Sequence, residues 1–203
     1  MAVLFPTAYF GSIAYFQEIM RNRSVSIEVW DTFPKQTFRN RCVILGAQGP
    51  LRLTLPVEKP NGSKSLTNEI LVVKSDEWRN NHWRAIKSAY SAAPYFEHYS
   101  REIEALIFTR ERNLVKYNQL ITETIAGLFD HSIELKLTSE FIPVSGSSSD
   151  FRGVDFESVD VDEFKSIHYT QVLFQESHFY ANPSILDLLF CNGPLGRKQL
   201  LVR

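Results

Sequence analysis

The chain has few of the residues that usually make a protein's chemistry readable. Its two cysteines, Cys42 and Cys191, lie far apart and in no metal-ligand spacing, which reads as two buried thiols rather than a disulfide framework. The five histidines, at positions 82, 98, 131, 168 and 178, are scattered, which argues against a metal centre. No glycine-rich phosphate loop, H-E-x-x-H or G-x-S-x-G motif occurs. No apolar run approaches the roughly 20 residues that span a bilayer. The opening MAVLFPTAYFGS has neither the basic n-region nor the long apolar core of a signal peptide. The expectation is therefore a soluble, cytoplasmic protein that is not an integral membrane protein. Charge of one sign is also missing: 22 basic against 23 acidic side chains leave a net charge of −1, so no global field is available to hold nucleic acid.

What the chain does have is core. Of its 203 residues 44% are hydrophobic, with fifteen Phe, eight Tyr and three Trp, and a chain of this length buries about 70% of its unfolded surface without a metal or disulfide staple. One domain spanning residues 1–203 is expected. Ala2 to Phe5 reads as a buried strand stopped by Pro6. Gly11-Ser12 then opens a helix with Ser12 as N-cap, and Val25, Ile27 and Val29 alternate as a half-buried strand. Together these predict a β–α–β unit with a parallel strand pair.

Two strands at Cys42–Gly46 and Leu51–Leu55 flank a Gly/Pro turn, and a further strand is expected at Ile70–Val73. From Ser75 the pattern becomes helical. Trp78, His82, Ile86 and Ala89 share a stripe, a second helix is expected from about Ser100 to Phe108, and a third carries Leu114, Tyr117, Ile121, Ile125 and Leu128. Strand-like alternation returns over 132–144 with Ile133, Leu135 and Leu137 on one side. SGSSSD at 145–150 reads as a loop, Asp155 to Glu163 as an exposed acidic stretch, and Tyr169 to Phe174 as a strand. A last short helix, Pro183 to Phe190, ends at Asn192-Gly193-Pro194. The fold class is α/β, a mixed sheet begun by the β–α–β unit with a helical layer from about residue 75 to 130; a nucleotidylyltransferase-like fold is one form of it, without that fold's histidine motif.

The densest polar cluster is Lys35, Gln36, Arg39, Asn40 and Arg41, flanked by Phe33 and Phe38. Three cations in seven residues can clamp a phosphate or carboxylate, and their place after the second strand of a β–α–β unit is where α/β crevices lie. The alternative is a solvated loop. The turn Pro6–Gly11 offers backbone N–H groups at a helix start, with Tyr9 beside it to stack on a sugar or base, and a single cleft faced by Lys35, Arg41 and this turn is expected. His82 is the candidate general base, weighed against a hydrogen-bonded core histidine. Tyr169, Gln171, Asn182 and Asp187 form a C-terminal polar group, weighed against simple helix capping by Ser184 or Asn182.

Several segments in order resemble the WbqC-like family: LFPTAYFGSIAYFQEI, KQTFRNRC, LPVEKP, HWRAIKSAYSAAPYFEHY, DFR at 150–152, YTQVLF and NPSILDLLFCNGP. They extend from residue 4 to about 195. The resemblance implies a place in bacterial surface polysaccharide synthesis, including O-antigen, with glycine or acyl transfer to an activated sugar as one reading. A non-catalytic binding or scaffold protein of a glycan-assembly system is the other. It adds Lys59 and Tyr95 to the residues in family-like segments. It implies a small-molecule partner, a nucleotide-activated or lipid-linked sugar, and assigns no cofactor, oligomeric state or secure catalytic set. The first segment departs from a common family form in carrying Phe5 where that form has Gln before the proline.

Overall fold

Pro6 limits the first strand to Leu4–Phe5 (β1), and Ser12 starts the helix Ile13–Met20 (α1) by accepting the Tyr15 N–H on its hydroxyl. The strand Ser24–Ile27 (β2) returns parallel to β1, with Leu4 opposite Ser26 and Phe5 opposite Ile27. The expected β–α–β unit is present. The computed structural model describes residues 3–35, 37–144, 149–158, 168–172 and 179–201. Within these, all but one side chain of α1 are buried, so α1 is a central helix rather than a cover.

Strands Arg41–Gly46 (β3) and Gly49–Thr54 (β4) form the expected hairpin, closed tightly around Ala47-Gln48, with Gly49 at a φ of 116°. Val57–Glu58 (β5) pairs antiparallel with Leu71–Val72 (β6), and two short 3-10 turns lie between them. The sheet expectation needs correcting. There is no single mixed sheet among the described residues, but a parallel sheet in the order β1-β2-β7 and two separate antiparallel pairs, where β7 is Glu134–Leu137. The hairpin leaves the parallel sheet because β3 packs against helices instead, namely Asp76–Tyr90 (α2) and Ile185–Asn192 (α5).

The helical layer stands where the periodicity puts it: α2, Phe96–Ile107 (α3) and Leu114–Leu128 (α4). Ser75 caps α2 through the Glu77 N–H, and Asp76 and Glu77 occupy the first turn, where the helix dipole favours negative charge. α3 starts four residues before Ser100, at a Phe96 that faces the core. β7 is shorter than the alternation over 132–144, and Leu137 is exposed while Ile133 and Leu135 are buried. Tyr169 to Val172 form no strand; positions 173 and 174, like most of the serine loop and residues 159–163, lie outside the described residues. The last expected helix does end at Asn192-Gly193-Pro194, and a further short helix, Leu195–Leu201 (α6), follows directly. Gly193 turns the chain between α5 and α6 at a φ of 51°, and a Cβ there would sit 2.6 Å from the Tyr95 ring. Only glycine fits that corner.

The buried hydrophobic side chains form one cluster running from Phe5 to Leu200. Its seam at the strand ends is an ion network built on the fully buried Glu28, with Arg152 and Asp150 mostly covered. The Glu28 carboxylate, just after β2, accepts the Trp30 N–H at 2.7 Å, the Thr138 hydroxyl at 3.1 Å and the Ile142 N–H at 3.0 Å. Arg152 reaches it at 3.4 Å and holds Asp150 through two hydrogen bonds of 2.9 and 2.6 Å. Residues 149–151 meanwhile lie along the free edge of β1, with Leu4 N–H donating to Ser149 and Phe151 N–H to Leu4, each at 2.8 Å. Removing one partner of such a buried pair leaves a charge stranded. Arg152→Ala is expected to cost about 3–5 kcal/mol in urea unfolding, whereas loss of the exposed Arg112–Glu58 pair should cost about 1 kcal/mol or less.

Candidate functional site

Two helix starts meet back to back. Ile13 N–H donates to Pro183 O at 3.0 Å, and Ile185 N–H donates to Gly11 O at 2.9 Å, so Ser12 and Ser184 face each other as an antiparallel bridge. Asn182 crosses from the C-terminal segment to accept the Ala14 N–H at 2.9 Å and gives its amide to Phe156 O, also at 2.9 Å. Ser12 donates to the same carbonyl at 2.8 Å, and Ser184 donates to Phe10 O at 2.8 Å. Ser184 also caps α5 through Leu186 N–H. The first amides of both helices are therefore already bonded within the protein. An anion here would be held by side chains and not by the α1 amides that the sequence suggests. The turn is tightly built: Phe10 has a φ of 42°, and a Cβ on Gly11 would come 2.6 Å from the Tyr15 ring.

A narrow crevice lies over this junction, lined by Phe10, Gly11, Phe38, Arg41, Glu157 and Asn182 among others, with room of about 10 Å³, enough for one water. Arg41 is mostly covered, and its Nε stands 3.3 Å from the Glu157 carboxylate; Arg52 stands 3.9 Å from the other oxygen. Cys42 also borders the crevice, but burial, with the Glu157 charge adding to it, pushes its thiol pKa far up. It stays a thiol and is a poor nucleophile.

Behind the α5 start lies a buried acid. Asp187 stands in the first turn of α5, as its sequence position implies, but its side chain points into the core rather than to solvent. It is 1% exposed and accepts hydrogen bonds from the Tyr169 hydroxyl and, at 3.1 Å, from Gln171. Gln171 is fixed in turn by exchanging hydrogen bonds with the Tyr180 backbone, at 2.9 and 3.1 Å. Burial raises the Asp187 carboxyl pKa to about 6, against the hydrogen bonds from Tyr169, Tyr90 and Gln171, which lower it. Burial also keeps the Tyr169 phenol protonated.

His82 meets Tyr9 in a third place, between α2 and the turn. The Tyr9 hydroxyl is 2.9 Å from His82 Nδ1, with the Trp78 ring against the imidazole. Burial lowers the His82 pKa to about 4, opposed by a backbone hydrogen bond to Thr54, so the ring is neutral at pH 7. Burial drives the Tyr9 phenol pKa well up, and the protonated phenol donates to Nδ1.

The polar cluster at 35–41 is dispersed. Lys35 is exposed and does not line the crevice, and Gln36 lies outside the described residues. Arg39 turns inward to Asp31 at 2.6 Å and Thr67 at 3.1 Å, while Asn118 caps its carbonyl. Asn40 donates to Leu55 O at 2.9 Å. Lys59 lies 4.7 Å over the Phe33 ring. Of the cluster's described residues, Arg41 alone reaches the crevice, where it joins the Pro6–Gly11 turn and Asn182. Tyr169, Gln171 and Asp187 form one group, and Tyr9 and His82 another. Glu157 was hidden in a stretch that reads as solvated acid. Phe156 beside it, almost fully buried, was the available signal that this stretch turns inward.

A model of the WbqC-like protein family matches residues 7–159. The chain is 32% identical over 90 residues to an uncharacterised protein, Rv1507c, of Mycobacterium tuberculosis, covering 43% of this chain. The match spans 35% of that protein, just over a third of its length. No solved structure matches the chain.

The two titrating groups oppose each other. Between the ordinary carboxylate range and about pH 6, folded Asp187 keeps a proton that the unfolded chain has released, so stability falls as pH rises through that window. His82 remains neutral down to about pH 4, where the unfolded ring is charged, so its contribution is lost as pH falls below the ordinary histidine value. Asp187→Asn should therefore gain on the wild type between pH 4 and 6.5, by on the order of 1–3 kcal/mol in urea melts. In Tyr169→Phe, which loses a hydrogen bond that favours the carboxylate, the Asp187 carboxyl resonance should titrate above pH 6.

Proposed function

The chain belongs to the WbqC-like protein family, and from that premise we propose that it serves bacterial surface polysaccharide synthesis, O-antigen included, as a transferase that holds an activated sugar at the Arg41 crevice. The observation that carries this reading is the Arg41–Glu157 pair. A guanidinium, three helix-capping residues (Ser12, Asn182 and Ser184) and the Phe38 ring converge on one crevice, and a carboxylate of the chain occupies the position that a phosphate or carboxylate would take.

In this reading an incoming anion displaces Glu157, opens the crevice and takes the fork of Arg41, so that the sugar lies against Phe38. The released Glu157 carboxylate then accepts the proton of the sugar amine or hydroxyl as that atom bonds to the acyl carbon, and passes it to the donor group whose bond to the acyl carbon breaks. Tyr9 and His82 hold the turn from behind. Their mutual hydrogen bond and their burial suit positioning of the turn better than direct proton transfer. Tyr169, Gln171 and Asp187 do the same for the start of α5. Lys35, Lys59, Arg39 and Asn40 shape the loop that carries Arg41. The β1–α1–β2 start supports a nucleotidylyltransferase-like reading of the fold. A binding or scaffold role is the second reading, favoured by exposed Leu137, Phe141, Ile142 and Val144 beyond β7.

Thermal-shift titration with nucleotide sugars, acyl donors and free nucleotides tests the proposal. Saturation to a hundred times the Kd adds about 2.7 kcal/mol of stability. Arg41→Gln should abolish the shift, and Glu157→Gln, which frees the guanidinium, should strengthen binding. If no ligand in these classes stabilises the protein, or Glu157→Gln leaves binding unchanged, the crevice reading falls and the binding-protein reading stands.

A further inference from the structure

Away from the crevice, two open hollows of about 720 Å³ each adjoin along Asp130, Arg197 and Leu201. One is walled by the start of α3, the end of α4 and α6, and the other by Arg23, His131 and the entry to β7. Together they make an elongated trough.

Its charged end carries two exposed arginines, Arg23 and Arg197, in the same lining as Glu123, Asp130 and Glu134. Neither the Arg23 nor the Arg197 guanidinium has a hydrogen-bond or ion-pair partner among the described residues. Both act electrostatically on the same imidazole, lowering the His131 pKa together with its burial. That ring's Nε2 is enclosed and has no hydrogen-bond partner among the described residues. An enclosed polar atom left so is unfavourable, and two guanidinium groups lining the same hollow can form an anion cradle. The nearby carboxylates are mostly engaged elsewhere. Glu134 pairs with Lys136 at 3.1 Å, and Glu123 accepts from Gln119 at 2.9 Å. Asp130 acts on Tyr99, toward the other end of the trough.

The other end is apolar, with Tyr99, Leu128, Phe129 and Pro194 in its walls. Gly127 lies there, exposed, within α4. A Cβ on Gly127 would meet nothing within 4 Å, so no packing within the described residues demands a glycine. It stands one residue before the end of α4. The bare backbone leaves the trough floor open.

We propose that this trough binds a phosphomonoester, its phosphate held by Arg23 and Arg197 beside the His131 ring and its apolar or aromatic body lying along Gly127 beside Tyr99. The body can be a nucleoside or a lipid chain, since both present this chemistry. The site shares no residue with the Arg41 crevice.

Calorimetric titration of the full chain with inorganic phosphate, a nucleoside monophosphate and monomeric decyl phosphate decides it. One of the organic phosphates should bind at least about tenfold more tightly than inorganic phosphate, and which one does identifies the body. Arg23→Gln and Arg197→Gln, both at exposed positions and so harmless to the urea midpoint, should each weaken binding about tenfold. Gly127→Leu should block the organic ligand and leave inorganic phosphate unaffected. The proposal is overturned by no binding of any probe, by binding insensitive to both arginine variants, or by equal affinity for all three probes. Loss of binding in Arg41→Gln with retention in the trough variants would assign the ligand to the crevice and equally overturn it.

Discussion

The reciprocal backbone hydrogen bonds between Ile13 and Pro183 and between Ile185 and Gly11 join two helix starts from opposite ends of the sequence. Each helix would otherwise begin with unpaired N–H groups facing the core, and each is completed by the other's strand of backbone and by a serine cap. Asn182 extends the arrangement by capping α1 from 168 residues away. At about 1 kcal/mol per bond these contacts are individually modest. They are geometrically decisive because they fix the floor of the crevice, the carbonyl of Phe156 and hence the approach of Glu157 to Arg41.

The same economy explains where charge is placed. The protein encloses several ionised groups and compensates most of them internally: Glu28 with Arg152, Arg39 with Asp31 and Thr67. Such groups are costly to strand but add little net stability when paired; their effect is to fix register. Glu28 and Arg152 hold residues 149–151 on the edge of β1, and Arg39 pins the 31–41 loop, so that Arg41 and Phe38 reach the crevice. Arg23 and Arg197, exposed in the trough, form no such ion pair among the described residues.

His82 and Asp187 show how environment decides role. Both were candidate chemical groups, and both lie in nearly dry surroundings that shift them toward the neutral form. A neutral imidazole bonded to Tyr9, and a carboxyl bonded by Tyr169 and Gln171, hold adjacent segments in place. The crevice lies between the segments they hold.

The local sequence determined the elements. Ser12, Ser75 and Ser184 marked helix starts, the Trp78–His82–Ile86–Ala89 stripe marked a buried helix face, and Val25 and Ile27 marked the strand of the β–α–β unit, because caps and periodicity are properties of neighbouring residues. The ordered segments of the WbqC-like family were legible in the same way. Only the tertiary structure decided which polar residues converge. Lys35, Arg39 and Arg41 are adjacent in sequence, yet they end exposed, in an ion pair and in the crevice respectively, while Glu157 and Asn182 arrive from far along the chain. Convergence depends on how helices and hairpin pack on one another, and no single stretch of residues carries that information.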